Sequence, residues 1–425
     1  MTEARAAVEA VWRIEAGRLV AGLARVTGDV GLAEELAQDA LVVALEQWPS
    51  TGIPPNPAGW LMTTAKNRAI DGARRRATYQ RKLEQIGRDT ETETRPSDEI
   101  EDALDDDIGD DLLRLVFTAC HPLLSVESRV ALTLRCVGGL STTEIARGFL
   151  IPEKTAGQRI SRAKKTLADR GVVFAMPDAS ERAARLRSVM EVVYLIFNEG
   201  YAAQAGEDWT RPALCQEALR LARLLATLVP EDPEVHGFVA LLELQASRIP
   251  ARTTADGQPV LLLDQDRRRW DRTLLRRGLE ALARAEEIAS APGPEGRGPA
   301  LGPYAIQAEI AACHVRAATP GDTDWGRIAA LYVLLRHAWP SPVVELNRAV
   351  AVGFAEGPEH GLAVVDAVSA APALASYPQL PAVRADLLAR LGRTSEAREA
   401  YERAAALSAN ARERAVYVAK AAELG

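Results

Sequence analysis

Residues 140–165 have the sequence LSTTEIARGFLIPEKTAGQRISRAKK, which decides the fold predicted for the middle of the chain. The Glu-Ile-Ala stretch at 144–146 indicates a first short helix, with a small residue where a second helix must approach closely. Pro152 or Glu153 then opens the second helix. This spacing predicts a helix-turn-helix, whose second helix can enter the major groove of DNA. One side of that helix carries the polar side chains Thr155, Gln158, Arg159, Arg162 and Lys165.

Two positions in this stretch depart from the most common pattern. Leu150 stands where a turn glycine is frequent, which leaves the shape of the turn open, and Gly157 weakens the second helix. An amphipathic helix with a solvated basic face would also account for the polar residues. The DNA-binding interpretation is favoured because the turn, the small residue and the polar face agree.

A second basic segment, KNRAIDGARRR at residues 66–76, has a different chemistry. Asn67 and Asp71 stand among its Lys and Arg residues, whereas a purely electrostatic patch needs no amide or carboxylate. Single-stranded nucleic acid is bound by a basic groove combined with a pocket or a stacking surface. Asn56, in the preceding Pro-rich loop, could hold a base that has left the stack. Trp60 could stack on a base, but its spacing favours a core position.

The composition makes these two basic segments informative. The 425 residues include 51 Lys and Arg against 58 Asp and Glu, so a local concentration of positive charge needs a local reason. Phosphate backbones supply one, because local charge sets the field at a surface. With 48% hydrophobic and only 5% aromatic residues, the composition favours packed helices. The four cysteines form no CxxC pair, which fits a reducing cytoplasm, and no apolar run reaches the roughly 18 residues of a membrane span.

Changes in composition divide the chain into four predicted parts. Helical apolar spacing fills the first part, strong acidity without periodicity marks a linker, short helices follow, and alanine-rich helical pairs occupy the remainder. The predicted parts are residues 1–80, 81–110, 111–172 and 180–425.

The first part predicts two helices with a break at Gly28 and Asp29, the second of them ending at Pro49. That second helix carries a polar cluster of Glu34, Glu35, Gln38 and Asp39. The cluster is either a solvated face or a face that docks onto another protein, and the spacing does not decide between them.

The last part contains a weak repeat at residues 388–404. It resembles the middle of a tetratricopeptide (TPR) repeat, with Gly392 at the turn between helices, Ala397 and Ala404 at close contacts, and Tyr401 at a bulky position. Stacked helix pairs of this kind bury one another's apolar faces and form a concave surface.

Two polar stretches in the last part supply candidate ligand-binding residues: Asn198, Glu199, Tyr201, Asp264 and Asp266. They could line a pocket, although Asp266 could equally cap a helix that begins at Arg267, and capping is favoured. Cys120, His121 and Cys136 lack the spacing of a metal site, so we expect no metal and no other cofactor. Without a phosphate loop or hydrolase motif, an enzyme has little support.

Both basic segments resemble parts of bacterial RNA polymerase sigma factors. Residues 29–48 and 56–71 are similar to region 2, and residues 140–164 are similar to region 4. The absence of a region-3 domain between them resembles the extracytoplasmic-function (ECF) group. Further stretches resemble a subgroup with a TPR-like C-terminal extension: 117–122, 194–201, 264–267 and 341–350.

The resemblance implies an all-α protein, in which two small sigma domains joined by the acidic linker precede a TPR-like regulatory extension. It implies that Glu35, Gln38 and Asp39 contact the clamp helices of the polymerase. The opened −10 promoter element would be bound by Asn56, Lys66, Asn67, Arg68, Asp71, Arg74 and Arg75. The −35 element would be read by Glu153, Lys154, Thr155, Gln158, Arg159, Arg162 and Lys165. The acidic linker would run through the polymerase.

These expectations describe a cytoplasmic initiation factor without enzymatic activity, whose partners are promoter DNA and the clamp and flap of core RNA polymerase. The C-terminal extension would regulate it through intramolecular contacts with the sigma domains or through a partner. The alternative is a helix-turn-helix regulator with a repeat-type sensor domain that never joins the polymerase. Such a regulator has no need of a single-strand site at residues 66–76.

Overall fold

The computed structural model describes residues 2–85, 108–202, 210–254, 257–291 and 300–424. Within them the regular elements are helices, and strand-like pairing is limited to one bridge between Thr253 and Pro259. The all-α prediction is therefore confirmed for the described residues. Contacts divide the chain into two compact units, Met1–Val193 and Tyr194–Gly425.

The regular elements described in the first unit are helices, and the last of them continues into the second unit. They are α1 (Thr2–Thr27), α2 (Val30–Thr51), α3 (Pro57–Gln85), α4 (Ile108–Ala119), α5 (Val126–Cys136), α6 (Thr142–Gly148), α7 (Glu153–Asp169) and α8 (Ala179–Tyr201). The acidic linker predicted at 81–110 falls largely on residues 86–107, which lie outside the described residues.

The break between α1 and α2 is confirmed, and a side-chain cap explains it. Gly28 has φ +68°, and Asp29 Oδ1 accepts hydrogen bonds from the backbone N–H groups of Gly31 at 2.6 Å and Leu32 at 3.0 Å. These bonds satisfy two of the donors left open at a helix start.

The prediction that Pro49 ends α2 is wrong, because the helix continues to Thr51. Proline lacks the N–H that would bond to the preceding turn, and in a last turn only that single bond is lost. Gly52, with φ +83°, marks the end of the helix.

The helix-turn-helix of α6 and α7 is confirmed, and the structure supplies the shape of the turn that the sequence left open. Ser141 and Glu144 form a capping box at the start of α6. At its end, the N–H of Ile151 bonds to the carbonyl of Ala146 at 3.0 Å, and Leu150 adopts φ +49°. This is a Schellman-type end, in which a left-handed residue is required. Leu150 therefore occupies the glycine-like position in a conformation that L-residues disfavour.

The first part of α8 packs against the C-terminal end of α4 and against α5. Ser188 Oγ donates to the carbonyl of Cys120 at 2.8 Å, and Arg129 pairs with Glu191 at 3.2 Å. Val189 and Met190 are buried on the same helix. Residues of α8 up to Val193 thus belong structurally with the helices that precede them.

The regular elements described in the second unit are also helices. After α8 they are α9 (Pro212–Leu228), α10 (Pro233–Ala246), α11 (Arg272–Ser290), α12 (Pro303–Arg316), α13 (Trp325–Ala338), α14 (Pro342–Ala355), α15 (Pro358–Val368), α16 (Gln379–Arg390), α17 (Thr394–Leu407) and α18 (Ala411–Glu423). Short 3-10 helices lie between α10 and α11, among them Arg267–Arg269.

The positions singled out at residues 388–404 lie at a turn between two helices and on the buried side of the second helix. Gly392 has φ +74° and forms the turn between α16 and α17, where a left-handed residue is needed. Ala397, Tyr401 and Ala404 are buried on the inner side of α17. The neighbouring helices α16 and α18 both pack against α17, and the small side chains of Ala397 and Ala404 leave room for this close packing.

We predict that Leu150→Gly stabilises the protein. The substitution relieves a left-handed conformation that costs an L-residue about 1 kcal/mol, and the Leu150 side chain, 55% exposed, contributes little packing. Urea-induced unfolding of the full chain measures the change in the free energy of unfolding.

Leu123→Gly is the matched control. Leu123 is similarly exposed, at 51%, but its backbone is not left-handed. Among the described residues, the non-glycine residue with positive φ is Leu150. The control should therefore lower the free energy of unfolding, since it only adds chain entropy to the unfolded state. Equal destabilisation by both substitutions would contradict the strain assigned to Leu150.

Candidate nucleic-acid interface

The polar face of α7 lies opposite its buried side. Ala156, Ile160, Ala163 and Leu167 are buried against the rest of the helix-turn-helix. The residues expected to contact DNA divide into exposed Glu153, Lys154, Gln158, Arg162 and Lys165 and half-buried Thr155 and Arg159. The carboxylate of Glu153 also accepts a hydrogen bond from Thr143 Oγ1 at 2.9 Å, which joins α7 to α6. The helix can thus present these side chains without disturbing its own packing.

The basic segment of α3 also separates a buried stripe from an exposed one. Leu61, Ala65 and Ala69 are buried at four-residue spacing. Asn67, Arg68 and Asp71 are exposed on α3. Arg74 and Arg75 lie in the same helix, but their side chains are outside the described residues.

Three candidate residues take part in the fold of this region: Lys66, Asn56 and Trp60. Lys66 is half-buried and lines a cavity of about 250 Å³ with residues of α1, including Arg18. Asn56 Oδ1 accepts a hydrogen bond from the N–H of Gly59 at 3.0 Å, so Asn56 caps the start of α3. Trp60 is half-buried and meets buried Trp48 edge-on at 5.5 Å, which agrees with a core position.

The predicted polymerase-contact residues lie on α2 beside the exposed part of α3. Glu35 and Asp39 are exposed and Gln38 is half-buried. Asp39 Oδ2 pairs with Arg68 Nη1 at 3.0 Å, so the two candidate surfaces adjoin. The same helix exposes the apolar side chains of Val42 and Leu45. Exposed apolar residues rimmed by acidic ones are typical of a protein-docking face.

Glu34 does not share the exposure of its neighbours and was wrongly grouped with them. It is only 3% exposed, and its carboxylate lies between two cations, one from α5 and one from α7. Arg135 Nε, from α5, donates to Oε1 at 2.7 Å, and Lys164 Nζ, from α7, donates to Oε2 at 2.5 Å. A buried carboxylate is tolerated only when it is paired in this way. The ion triad therefore joins α2 directly to α7.

A second set of contacts joins α1 to the segment that contains α4–α7. Trp12 Nε1 donates to the carbonyl of Gly139 at 2.8 Å. Gly139 has φ +70°, and a Cβ there would come within 2.9 Å of Ala16 Cβ, so the approach requires glycine. Arg25 pairs with Asp111 at 3.1 Å, although burial raises the pKa of the Asp111 carboxyl. Together with the Glu34 triad, these contacts hold α4–α7 against α1 and α2.

Comparisons with known proteins match two separate stretches of the first unit to known families. Residues 14–79 match the family described as sigma-70 region 2, and residues 114–167 match sigma-70 region 4. The ECF RNA polymerase sigma factor SigL of Mycobacterium tuberculosis is 31% identical over 144 residues, which are 34% of this chain and 76% of that protein. The chain belongs to the sigma-70 family.

The similarity extends beyond the two sigma regions. An uncharacterized protein of Rhizobium meliloti is 45% identical over 395 residues, covering 92% of this chain and 90% of that protein. Residues 185–286 of this sigma factor match a family described as being of unknown function. None of the solved structures matches the chain.

This is a sigma factor for promoter-specific transcription, and both of its sigma regions lie within the first compact unit. Region 2 takes in the second half of α1, all of α2 and the larger part of α3, and region 4 takes in the second half of α4, all of α5 and α6, and nearly all of α7. In the described part of this sigma factor, no helix is both long enough and apolar enough to cross a membrane.

The sequence reasoning missed the residues that join the two sigma regions, although a signal was present. Glu34 falls in the apolar stripe of α2, which contains Val30, Ala33, Ala37 and Leu41. Lys164 occupies the matching position in α7, between Ala163 and Leu167. Opposite charges in two apolar stripes would have predicted a buried pair between these helices.

The candidate ligand residues of the C-terminal part are distributed over several contacts. Asp266 caps the 3-10 helix Arg267–Arg269, which agrees with the favoured capping role over a shorter helix than expected. Asp264 is exposed, and Glu199 pairs with Arg211. Asn198 is half-buried, whereas the ring of Tyr201 lies beneath two buried arginines.

We predict that Glu34→Gln lowers the free energy of unfolding of the first unit by about 3 kcal/mol. The substitution keeps the shape of the side chain but leaves Arg135 and Lys164, both largely buried, without their carboxylate. Denaturant unfolding followed by tryptophan fluorescence measures the loss.

Glu35→Gln is the matched control on the next residue. Its side chain is 70% exposed and 3.8 Å from Lys164, so its removal should change the free energy of unfolding by no more than about 0.5 kcal/mol. Equal effects of the two substitutions would show that the Glu34 triad does not stabilise the unit.

Proposed function

We propose that this sigma factor binds core RNA polymerase through α2, the opened −10 element through α3, and the −35 element through α7. The observation that carries the proposal is the presence of two exposed polar surfaces of different chemistry in one unit. One mixes amide, carboxylate and guanidinium groups, and the other lies on a recognition helix. The two sigma regions without a region-3 match between them, and the SigL similarity, support the ECF group.

Docking onto the polymerase clamp helices is supported by the exposed residues of α2. Glu35 and Asp39 offer carboxylates, and Val42 and Leu45 offer apolar area beside them, with exposures of 51% and 42% for the latter two. Gln38 lies at the border of this face. Charged groups at the rim favour encounter with a basic partner, while apolar groups supply affinity.

The surface of α3 suits an opened strand better than a duplex. Arg68 can pair with a phosphate once it leaves Asp39, while Asn67 and Asp71 can hydrogen-bond to the edges of unstacked bases. Lys66 and Asn56 border this surface and would complete it, with Arg74 and Arg75 further along α3. The recognition helix would read duplex DNA by inserting the Gln158 and Arg162 side into the major groove.

Regions 2 and 4 must separate before both promoter elements can be bound at once. Elements centred at −10 and −35 lie about 25 base pairs, or about 85 Å, apart along the duplex. Glu34, by contrast, is in hydrogen-bond contact with both Arg135 and Lys164. We propose that this closed arrangement is a resting state and that binding to the polymerase opens it.

The C-terminal helices form a TPR-like regulatory extension in this proposal. The packing of Gly392, Ala397 and Tyr401 follows the repeat pattern and supports that assignment. The extension would act on the sigma regions by intramolecular contact or through a partner. We place the protein in the cytoplasm, where core polymerase and promoter DNA are found, and assign it no covalent chemistry of its own. A regulator that never joins the polymerase remains the competing function, and it leaves the exposed α2 face unexplained.

We predict that Asp39→Lys weakens binding to core polymerase and lowers promoter-specific transcription by about tenfold or more. Reversing the charge opposes a basic partner surface and also removes the Asp39–Arg68 pair. Reconstitution of the purified protein with core polymerase on a candidate promoter measures both quantities.

Glu280→Lys is the control, since Glu280 is an exposed acidic residue of α11 in the second unit. It should leave core binding unchanged. If the wild-type protein neither binds core polymerase nor yields transcripts, the proposed function is wrong, and the result favours a regulator that does not join the polymerase.

We predict that Arg159→Ala weakens binding to duplex −35 DNA by about tenfold and leaves binding to core polymerase intact. The half-buried Arg159 lies on the DNA-facing side of α7, away from the Glu34 triad. Arg170→Ala, at the C-terminal end of the same helix, is the control and should retain binding to DNA. Loss of both activities on Arg159→Ala would mean that the side chain supports the fold instead.

A further inference from the structure

Three cationic or titratable side chains meet in the interior of the second unit: Arg248, Arg267 and His314. Arg248 and His314 are more than nine-tenths buried. Arg267 Nη1 donates to the backbone carbonyls of His314 at 2.6 Å and Ala317 at 2.5 Å, which brings the two residues together. We call this group the arginine–histidine cluster. It lies outside every surface assigned above to polymerase or DNA.

The guanidinium of Arg267 presents a binding edge that nothing in the described residues fills. Its Nε and Nη2 atoms are buried and have no hydrogen-bond partner there, while Nη1 is fully used. The Trp270 ring, 5.0 Å from the Arg267 carbon Cζ, holds the guanidinium in place. An edge with two parallel N–H groups is the geometry with which arginine binds an oxyanion in bidentate fashion.

The neighbouring Arg268 shows the same edge in use. Its Nε and Nη2 donate to the two carboxylate oxygens of Asp266, each at 3.0 Å, in an exposed pair. Arg267 is the next residue back on the same 3-10 helix, but its edge faces inward. The carboxylate of Asp322 attracts Arg267 only through space, since it is hydrogen-bonded to Thr319.

Arg248 brings a second buried guanidinium to the cluster. It donates through Nε to the phenol oxygen of Tyr201 at 3.1 Å and through Nη2 to Gln245 at 2.6 Å. Arg252 lies over the Tyr201 ring, with its Cζ 3.7 Å from the ring centroid. Arg248 and Arg252 lower the pKa of the Tyr201 phenol against the opposing effect of burial, which reflects an electropositive interior.

His314 adds a neutral hydrogen-bonding group. Burial, together with the charges of Arg248 and Arg267, lowers its pKa to about 4, so the ring is uncharged at neutral pH. Its Nδ1 atom is buried without a hydrogen-bond partner among the described residues. A neutral imidazole can donate one N–H to an anion without adding to the positive charge.

Charge on buried atoms requires compensation, and the described carboxylates provide no partner for buried Arg248 or for the buried Nε and Nη2 atoms of half-buried Arg267. Neither Arg248 nor Arg267 forms an ion pair with an acidic side chain of the described residues. An uncompensated buried charge is strongly destabilising, whereas the same charge paired with an anion is tolerated. We propose that the arginine–histidine cluster is a binding site for a small oxyanion, a phosphate or carboxylate group, held by the Nε/Nη2 edge of Arg267 and by His314.

The test is a titration of the purified full-length protein with inorganic phosphate and, separately, with succinate. Chloride keeps the ionic strength constant, and thermal unfolding and calorimetry report binding. A ligand that binds the folded state alone raises the melting temperature in a saturable manner. We expect such a rise with at least one of the two anions, and which one binds distinguishes a phosphate from a carboxylate ligand. No saturable binding of either anion would overturn the proposal.

The matched variants are Arg267→Met and Arg268→Met, two adjacent arginines on one 3-10 helix. Arg267→Met should lower the affinity at least about tenfold, because it removes a charged bidentate contact, and Arg268→Met should retain it. If circular dichroism shows that Arg267→Met does not fold, Arg267→Lys keeps the charge but lacks the fork and should show the same loss. Unchanged affinity in a folded Arg267 variant would refute the assignment. Neither result depends on the protein's activity as a sigma factor.

Discussion

The buried carboxylate of Glu34 is the constraint on which the arrangement of the two sigma regions depends. A carboxylate that is 3% exposed on α2 must find cations, and region 2 supplies none at that position. Arg135 and Lys164 of region 4 supply both, so the charge of one side chain fixes the position of a neighbouring domain. The bond from Trp12 to Gly139 fixes the other end of the contact. Removing either region would leave buried charge unpaired, which explains why the two pack as one unit.

This closed unit has consequences for how the protein works. Lys164 belongs to the helix proposed to read the −35 element, yet it is engaged with the helix proposed to dock onto the polymerase. Contact between these helices and simultaneous binding of two distant promoter elements exclude each other. Residues 86–107 span at most about 75 Å when fully extended, a reach comparable with the separation of the two elements. The polymerase would therefore have to replace the Glu34 triad with contacts of its own. The strength of these ion pairs sets the free energy needed to separate regions 2 and 4.

Much of the fold follows from local sequence signals. The Asp29 cap, the Ser141–Glu144 capping box and Gly392 act within a few residues, so the helix boundaries they set were predictable from the chain. Pro49 was misjudged because proline in a last helical turn removes only one bond. Glu34 and Lys164 were missed because their partners are over a hundred positions away, and spacing within one helix reveals a buried charge but not its counter-ion. The inward edge of Arg267 is a matter of tertiary packing, since its neighbour Arg268 has the same side chain and faces outward.

The distance between regions 2 and 4 in the free protein tests the account most directly. Spin labels on cysteines introduced at Glu46 and Lys165, both exposed, can be used because the native cysteines are buried. Pulsed electron spin resonance should give a single short distance in the otherwise wild-type protein. Adding Glu34→Gln should produce a broad population at longer distances. The same distance distribution with and without Glu34 would show that the ion triad does not hold the two regions together.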